Sequence, residues 1–160
     1  VSLARREGPF LWTAAHTKPL QSLDGEVLET EIRLKGGGLL SRTVKPLSNE
    51  PNGWLVTDSF EPRLGQAGEF IVRWQFATGC EVGRIDERAF RVTNGTSAIR
   101  IDIGAAWVLA ELWGPSGDET AGQLDVIVSP RFMKTEHAPH LKLTAKPGGN
   151  TEFTTRFTVA

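Results

Sequence analysis

A chain of 160 residues is sized for one domain, and at that length folding buries roughly 70% of the unfolded surface. A net charge of −1 with 23% charged residues argues against nucleic-acid or membrane binding driven by net charge, while leaving room for a local basic face. The single cysteine, Cys80, excludes an intrachain disulfide and a thiolate metal cluster. No apolar run approaches the ~20 residues of a membrane span, and no segment reads as a signal peptide. The first residue is Val1 rather than methionine, as expected of a processed product or an excised domain.

Taken in chain order, strand-like segments fall at 10–15 (weaker), 26–35, 39–46, 53–60, 68–77, 89–93, 97–104, 107–113, 124–132, 140–146 and 150–159. The pattern is clearest in "GEFIVRWQFA", where Phe70, Val72, Trp74 and Phe76 oppose Ile71, Arg73 and Gln75. It recurs in "SAIRIDIG" through Ile99, Ile101 and Ile103, and in "NTEFTTRFTV" through Phe153, Thr155, Phe157 and Val159. Period-two alternation of this kind marks half-buried antiparallel strands. Turn chemistry separates them at Asp24-Gly25, Gly36-Gly37-Gly38, Asn52-Gly53, Asn94-Gly95 and Gly148-Gly149-Asn150. Asn94-Gly95, set between "AFRVT" and "TSAIRI", is the strongest hairpin signal. No segment carries a helical apolar stripe with caps at both ends. The expectation is an all-β antiparallel β-sandwich of about eleven strands, with little or no helix, formed by residues 1–160 as a single domain.

Each chemical motif has a plainer structural account beside it. His137 and His140 in "TEHAPHLKL" form a His-x-x-His that a metal could use with His16. Yet Leu141, Leu143 and Ala145 alternate on one face, which leaves His140 on the other, and Pro139 marks a loop leading into a strand. The histidines are therefore read as loop and solvent-face residues, and no metal ligand is assigned. "NGT" at 94–96 fits a glycosylation acceptor, but the hairpin turn explains Asn-Gly. Cys80 reads as a small buried hydrophobe, and the glycines at 36–38 precede no helix and make no phosphate cradle. Asp58, Ser59 and a histidine could be assembled into a hydrolase set, but no nucleophile-elbow motif supports it. Nineteen acidic residues make chance carboxylate pairs inevitable, so pairing by itself points to no glycosidase.

What remains is aromatic and cationic. Tyrosine is absent, while five tryptophans and 12 Arg against 6 Lys are present. Arginine suits bidentate contact with carboxylate or sulfate and serves equally in cross-strand pairing. Trp12, Trp54, Trp74, Trp107 and Trp113 would make a sugar-stacking platform if several shared an exposed face. Trp74 lies on the apolar face of its strand, whereas Trp54 and Trp107 sit at strand starts, where either role is open.

Several blocks in order resemble the carboxy-terminal β-domain of the heparinase II/III-like polysaccharide lyases. They are "GPFLW" (8–12), "SRTVKP…GWLVTDSF" (41–60), "GEFIVRWQFATGCEV" (68–82), and "VSPRF" with "APHLKL" (128–132 and 138–143). The departures are Ser41 where the family often has His, Gln75 where a second His is frequent, and Thr78 where Pro is common. The resemblance implies β-elimination of acidic polysaccharides by a parent protein, with an α/α toroid upstream of this region supplying the catalytic Tyr and His and the metal ligands. It also implies a periplasmic or secreted location. No catalytic, cofactor or metal residue transfers to this chain, which alone is expected to be inactive. Its expected role is to pack against the toroid and help bind an anionic glycan, with Arg73, Arg100, Trp54 and Trp107 as candidate contacts. Nucleic acid and membrane are not expected partners. The alternatives are an autonomous carbohydrate-binding module and a structural assembly domain.

Overall fold

The computed structural model describes residues 4–6, 12–14, 17–21, 27–33, 38–61, 69–113, 127–131, 134–146, 148 and 151–159. Fifteen strands occur among them: Ala4–Arg6 (β1), Trp12–Ala14 (β2), Thr17–Gln21 (β3), Leu28–Arg33 (β4), Leu39–Leu47 (β5), Glu50–Glu61 (β6), Phe70–Gln75 (β7) and Glu81–Arg84 (β8). The series continues with Ala89–Asn94 (β9), Ser97–Ile103 (β10), Leu109–Trp113 (β11), Ile127–Arg131 (β12), Lys134–His137 (β13), His140–Ala145 (β14) and Thr151–Val159 (β15). All eleven expected segments are present, and β1, β3, β8 and β13 are additional. No helix occurs among the described residues.

An eight-stranded sheet in the order β3-β4-β5-β6-β15-β10-β9-β8 forms one layer, and a three-stranded sheet β11-β14-β7 forms the other. β1-β2 and β12-β13 form two further, separate two-stranded sheets. Every pairing is antiparallel. Alternation along each strand sorts side chains between an inner and an outer face. Val72, Leu141, Leu143 and Ala145 of the small sheet meet Leu40, Phe90, Ile101 and Phe153 of the large one in the core. Phe70 lies between the layers, with its ring centroid 5.4 Å from that of Phe60 and 5.2 Å from that of Phe153.

Two glycine signals resolve differently from the expected turns. The β9–β10 hairpin forms, but Asn94 pairs with Ser97, so the loop residues are Gly95 and Thr96. Gly95 adopts φ +59°, a conformation that favours glycine at the first loop position of a tight hairpin. Asn52-Gly53 is not a turn. Ser48-Asn49 makes the turn, and Gly53 lies inside β6, where the register with β5 shifts between Pro46 and Leu47. The extra residues bulge there, and a Cβ on Gly53 would stand 2.8 Å from Leu47 Cδ1.

Candidate functional site

Among the described residues, a group of polar side chains between the layers is built on β5, β6 and β7. Register places Arg42 directly across from Asp58 on the inner face of the large sheet. Asp58 is only 1% exposed, and a carboxylate there needs a cation and full hydrogen bonding to offset its desolvation. Arg42 supplies both: Nε donates to Oδ1 at 2.6 Å and Nη2 donates to Oδ2 at 3.0 Å. The guanidinium carbon also lies 4.6 Å from the ring centroid of Trp74, within cation–π range. Trp74 meets Phe157 edge-on at 4.9 Å, and Phe157 is the cross-strand neighbour of Trp54. Trp54 is 44% exposed, and Trp74 Nε1 has no hydrogen-bond partner among the described residues.

Chemically, this group is a closed ion pair with an indole against its guanidinium. Both oxygens of Asp58 are held by one guanidinium. The pair pins the two sheets together through Trp74 and leaves the indole of Trp54 as the accessible surface. Asp58 and Ser59 are consecutive strand residues and point to opposite faces, so the hydrolase set does not assemble around them.

The outward arginines belong to different surfaces. Arg73 lies on the outer face of the small sheet, opposite Lys142, whose Nζ donates to Glu111 Oε2 at 2.8 Å. Arg100 lies on the outer face of the large sheet, where its Nε donates to Asp102 at 2.9 Å and 3.0 Å. That hydrogen bond, with the Asp102 charge beside it, raises the guanidinium pKa above its ordinary value. Arg73, Arg100 and Trp54 thus occupy three separate faces.

Trp107 requires a correction. It is 1% exposed, stacks 5.9 Å from Phe70 and lies 4.9 Å from Phe153. Its Nε1 donates to Thr154 O at 3.0 Å, so it is a core residue with no surface to offer a sugar. His140 also departs from expectation. It does lie on the face opposite Leu141, but it is 1% exposed rather than solvated. Ala138 and Pro139 beside it are buried too, and Pro139 O accepts from Phe76 N at 3.0 Å. The side chains of Trp12, His16, Trp113 and His137 lie outside the described residues. No group of three or more His, Cys, Asp or Glu able to hold a metal ion occurs among the described residues, and no helix there is long and apolar enough to cross a membrane.

Sequence reasoning missed Arg91. It stands directly across from Arg100 on the outer face, and the signal that would have found it is the hairpin register.

The architecture is an antiparallel two-layer sandwich, and solved structures share it. Over 89% of its length the chain is similar to heparan sulfate lyase HepC from Pedobacter heparinus, with a TM-score of 0.66 and 15% identity. Over 90% of its length it is similar to the heparinase III product of BT4657, with a TM-score of 0.63 and 12% identity. In each case the match covers 21% of the longer protein, so the chain spans about a fifth of those structures. At such identities the likeness establishes the fold. No protein-family profile matches the chain, and no curated protein does.

Proposed function

We propose that this chain is the β-sandwich part of a polysaccharide-lyase-like protein, packing against a catalytic α/α toroid and helping to hold an anionic glycan without cleaving it alone. The observation that carries this reading is the fold likeness over 89% of the chain to one fifth of a heparan sulfate lyase. The blocks at 8–12, 41–60, 68–82, 128–132 and 138–143 agree with it. The absence of tyrosine from all 160 residues fits a part that leaves proton abstraction to another. The test is absorbance of unsaturated uronate after adding the purified chain to heparan sulfate, heparin or alginate. The expected result is no growth, and sustained turnover would sink the proposal.

Trp54 favours a second reading as an autonomous carbohydrate-binding module, because its indole is the large aromatic surface left open at the Arg42–Trp74 group. Under it, glycan titration would shift tryptophan fluorescence, and the shift would vanish in Trp54→Phe. Unchanged fluorescence in the intact chain would count against it.

A further inference from the structure

The outer face of the eight-stranded sheet carries a band of basic residues across its strands, with Glu81 in the row on one side of it and Glu31 and Glu152 on the other. Its cross-strand rows can be read from the register. One row runs Gly83, Arg91, Arg100, Thr158 and Gly53 across β8, β9, β10, β15 and β6. The adjacent row runs Asp102, Arg156, Leu55 and Lys45 across β10, β15, β6 and β5. Next comes a hydroxyl row of Thr154, Thr57 and Thr43, and beyond it an acidic end that holds Glu31 and Glu152. From β9 to β5 the basic band spans four strand spacings, about 19 Å.

Folding does not explain Arg91. Cross-strand partners have Cβ atoms ~5 Å apart, and like charges directly opposite each other are destabilising. Arg100 and Arg156 are answered by Asp102 and Glu50. Arg91 and Lys45 are exposed and take part in no ion pair among the described residues. Gly83 across from Arg91 carries no side chain, and a Cβ there would meet nothing within 4 Å, so the guanidinium is approachable from that side.

We infer that the Arg91–Arg100 pair, extended by Lys45, binds sulfate or carboxylate groups of an extended anionic glycan lying across the strands. The glycan identity rests on the proposed function, whereas the charge and the site rest on the face itself. A planar guanidinium presents a donor fork that matches either group. The neighbouring threonines offer hydroxyl partners to sugar hydroxyls. The two basic rows together span too great a length for one small anion.

The experiment is titration calorimetry of the full 160-residue chain with a heparin oligosaccharide and an alginate oligosaccharide, with a single-stranded oligonucleotide of equal charge as comparator. Binding of at least one glycan is expected, weakening with salt. Arg91→Ala and Arg100→Ala should each weaken it roughly tenfold, as loss of a charge-assisted contact does. Lys146→Ala, which removes one exposed positive charge just past the end of β14 in the other layer, should stay within about twofold, as exposed charges away from a contact do. Arg91→Ala should melt no lower than the intact chain, since it relieves a like-charge contact. Glycan binding unaffected by both arginine variants would overturn the site and leave the proposed function standing. No binding of either glycan would overturn the site and the glycan half of the proposed function, leaving the packing half. An oligonucleotide that binds as tightly as the glycans would overturn the glycan assignment.

Discussion

Asp58 concentrates the consequences of burial in a single carboxylate. It is enclosed between the layers and satisfied by the two-pronged contact from Arg42, whose outer surface leans on Trp74. Asp58→Ala would leave a partly buried guanidinium without its counter-charge, a change that costs about 3 kcal/mol when a buried pair loses one partner. Urea unfolding should show that loss as a lower midpoint with an unchanged slope. An unchanged midpoint would mean that solvent, rather than Asp58, carries the Arg42 charge. How far single residues were legible in the sequence follows from the same logic. The inward setting of Trp74 follows from its strand's alternation. Trp54 and Trp107 both precede apolar runs, yet one is open and the other buried. The difference is made by Thr154 O, a partner from the far end of the chain, which local pattern does not disclose. For His140, alternation predicts the face correctly, but what covers that face comes from elsewhere.

At the scale of elements, the long alternating strands could be read and the short ones could not. β8 is four residues long and contains Gly83, and β3 is five and contains Pro19, so neither carries enough period-two signal to stand out. Register was the more consequential gap. With Asn94 and Gly95 as the two loop residues, Arg91 would face Ala98. With Gly95 and Thr96 in the loop, as found, the ladder shifts by two and Arg91 faces Arg100. A shift of two keeps every side chain on its own face, so the core pattern is blind to it while the surface pairing changes completely. Gly95 is the hinge of that outcome. Gly95→Ala forces a side chain onto φ +59° and should destabilise by about 1 kcal/mol, the usual cost of left-handed backbone for an L-residue. A thermal melt of Gly95→Ala would check this, and no change would mean the turn relaxes to another type.

At the scale of the whole molecule, two unequal layers enclose one core, and that much is encoded redundantly in every alternating strand. The candidate surfaces are not, because each depends on residues brought together from distant strands. The sheet order holds a further consequence. β15 sits between β6 and β10, so β3 to β6 form one meander, β8 to β10 form another, and only β15 joins them. Until it docks, each half keeps an unpaired edge of the kind that invites wrong pairing, and closure must await contacts between segments far apart in the chain, a slow step in all-β folding. Fragment complementation follows from this. A chain of residues 1–150 should lack the cooperative melt of the intact protein, and a synthetic peptide of residues 151–160 should restore it by inserting as the central strand. A fragment that melts cooperatively without the peptide would show that the halves close by another route. Synthesised from its N-terminus, this protein would remain two open-edged half-sheets until the β15 residues became available to fold.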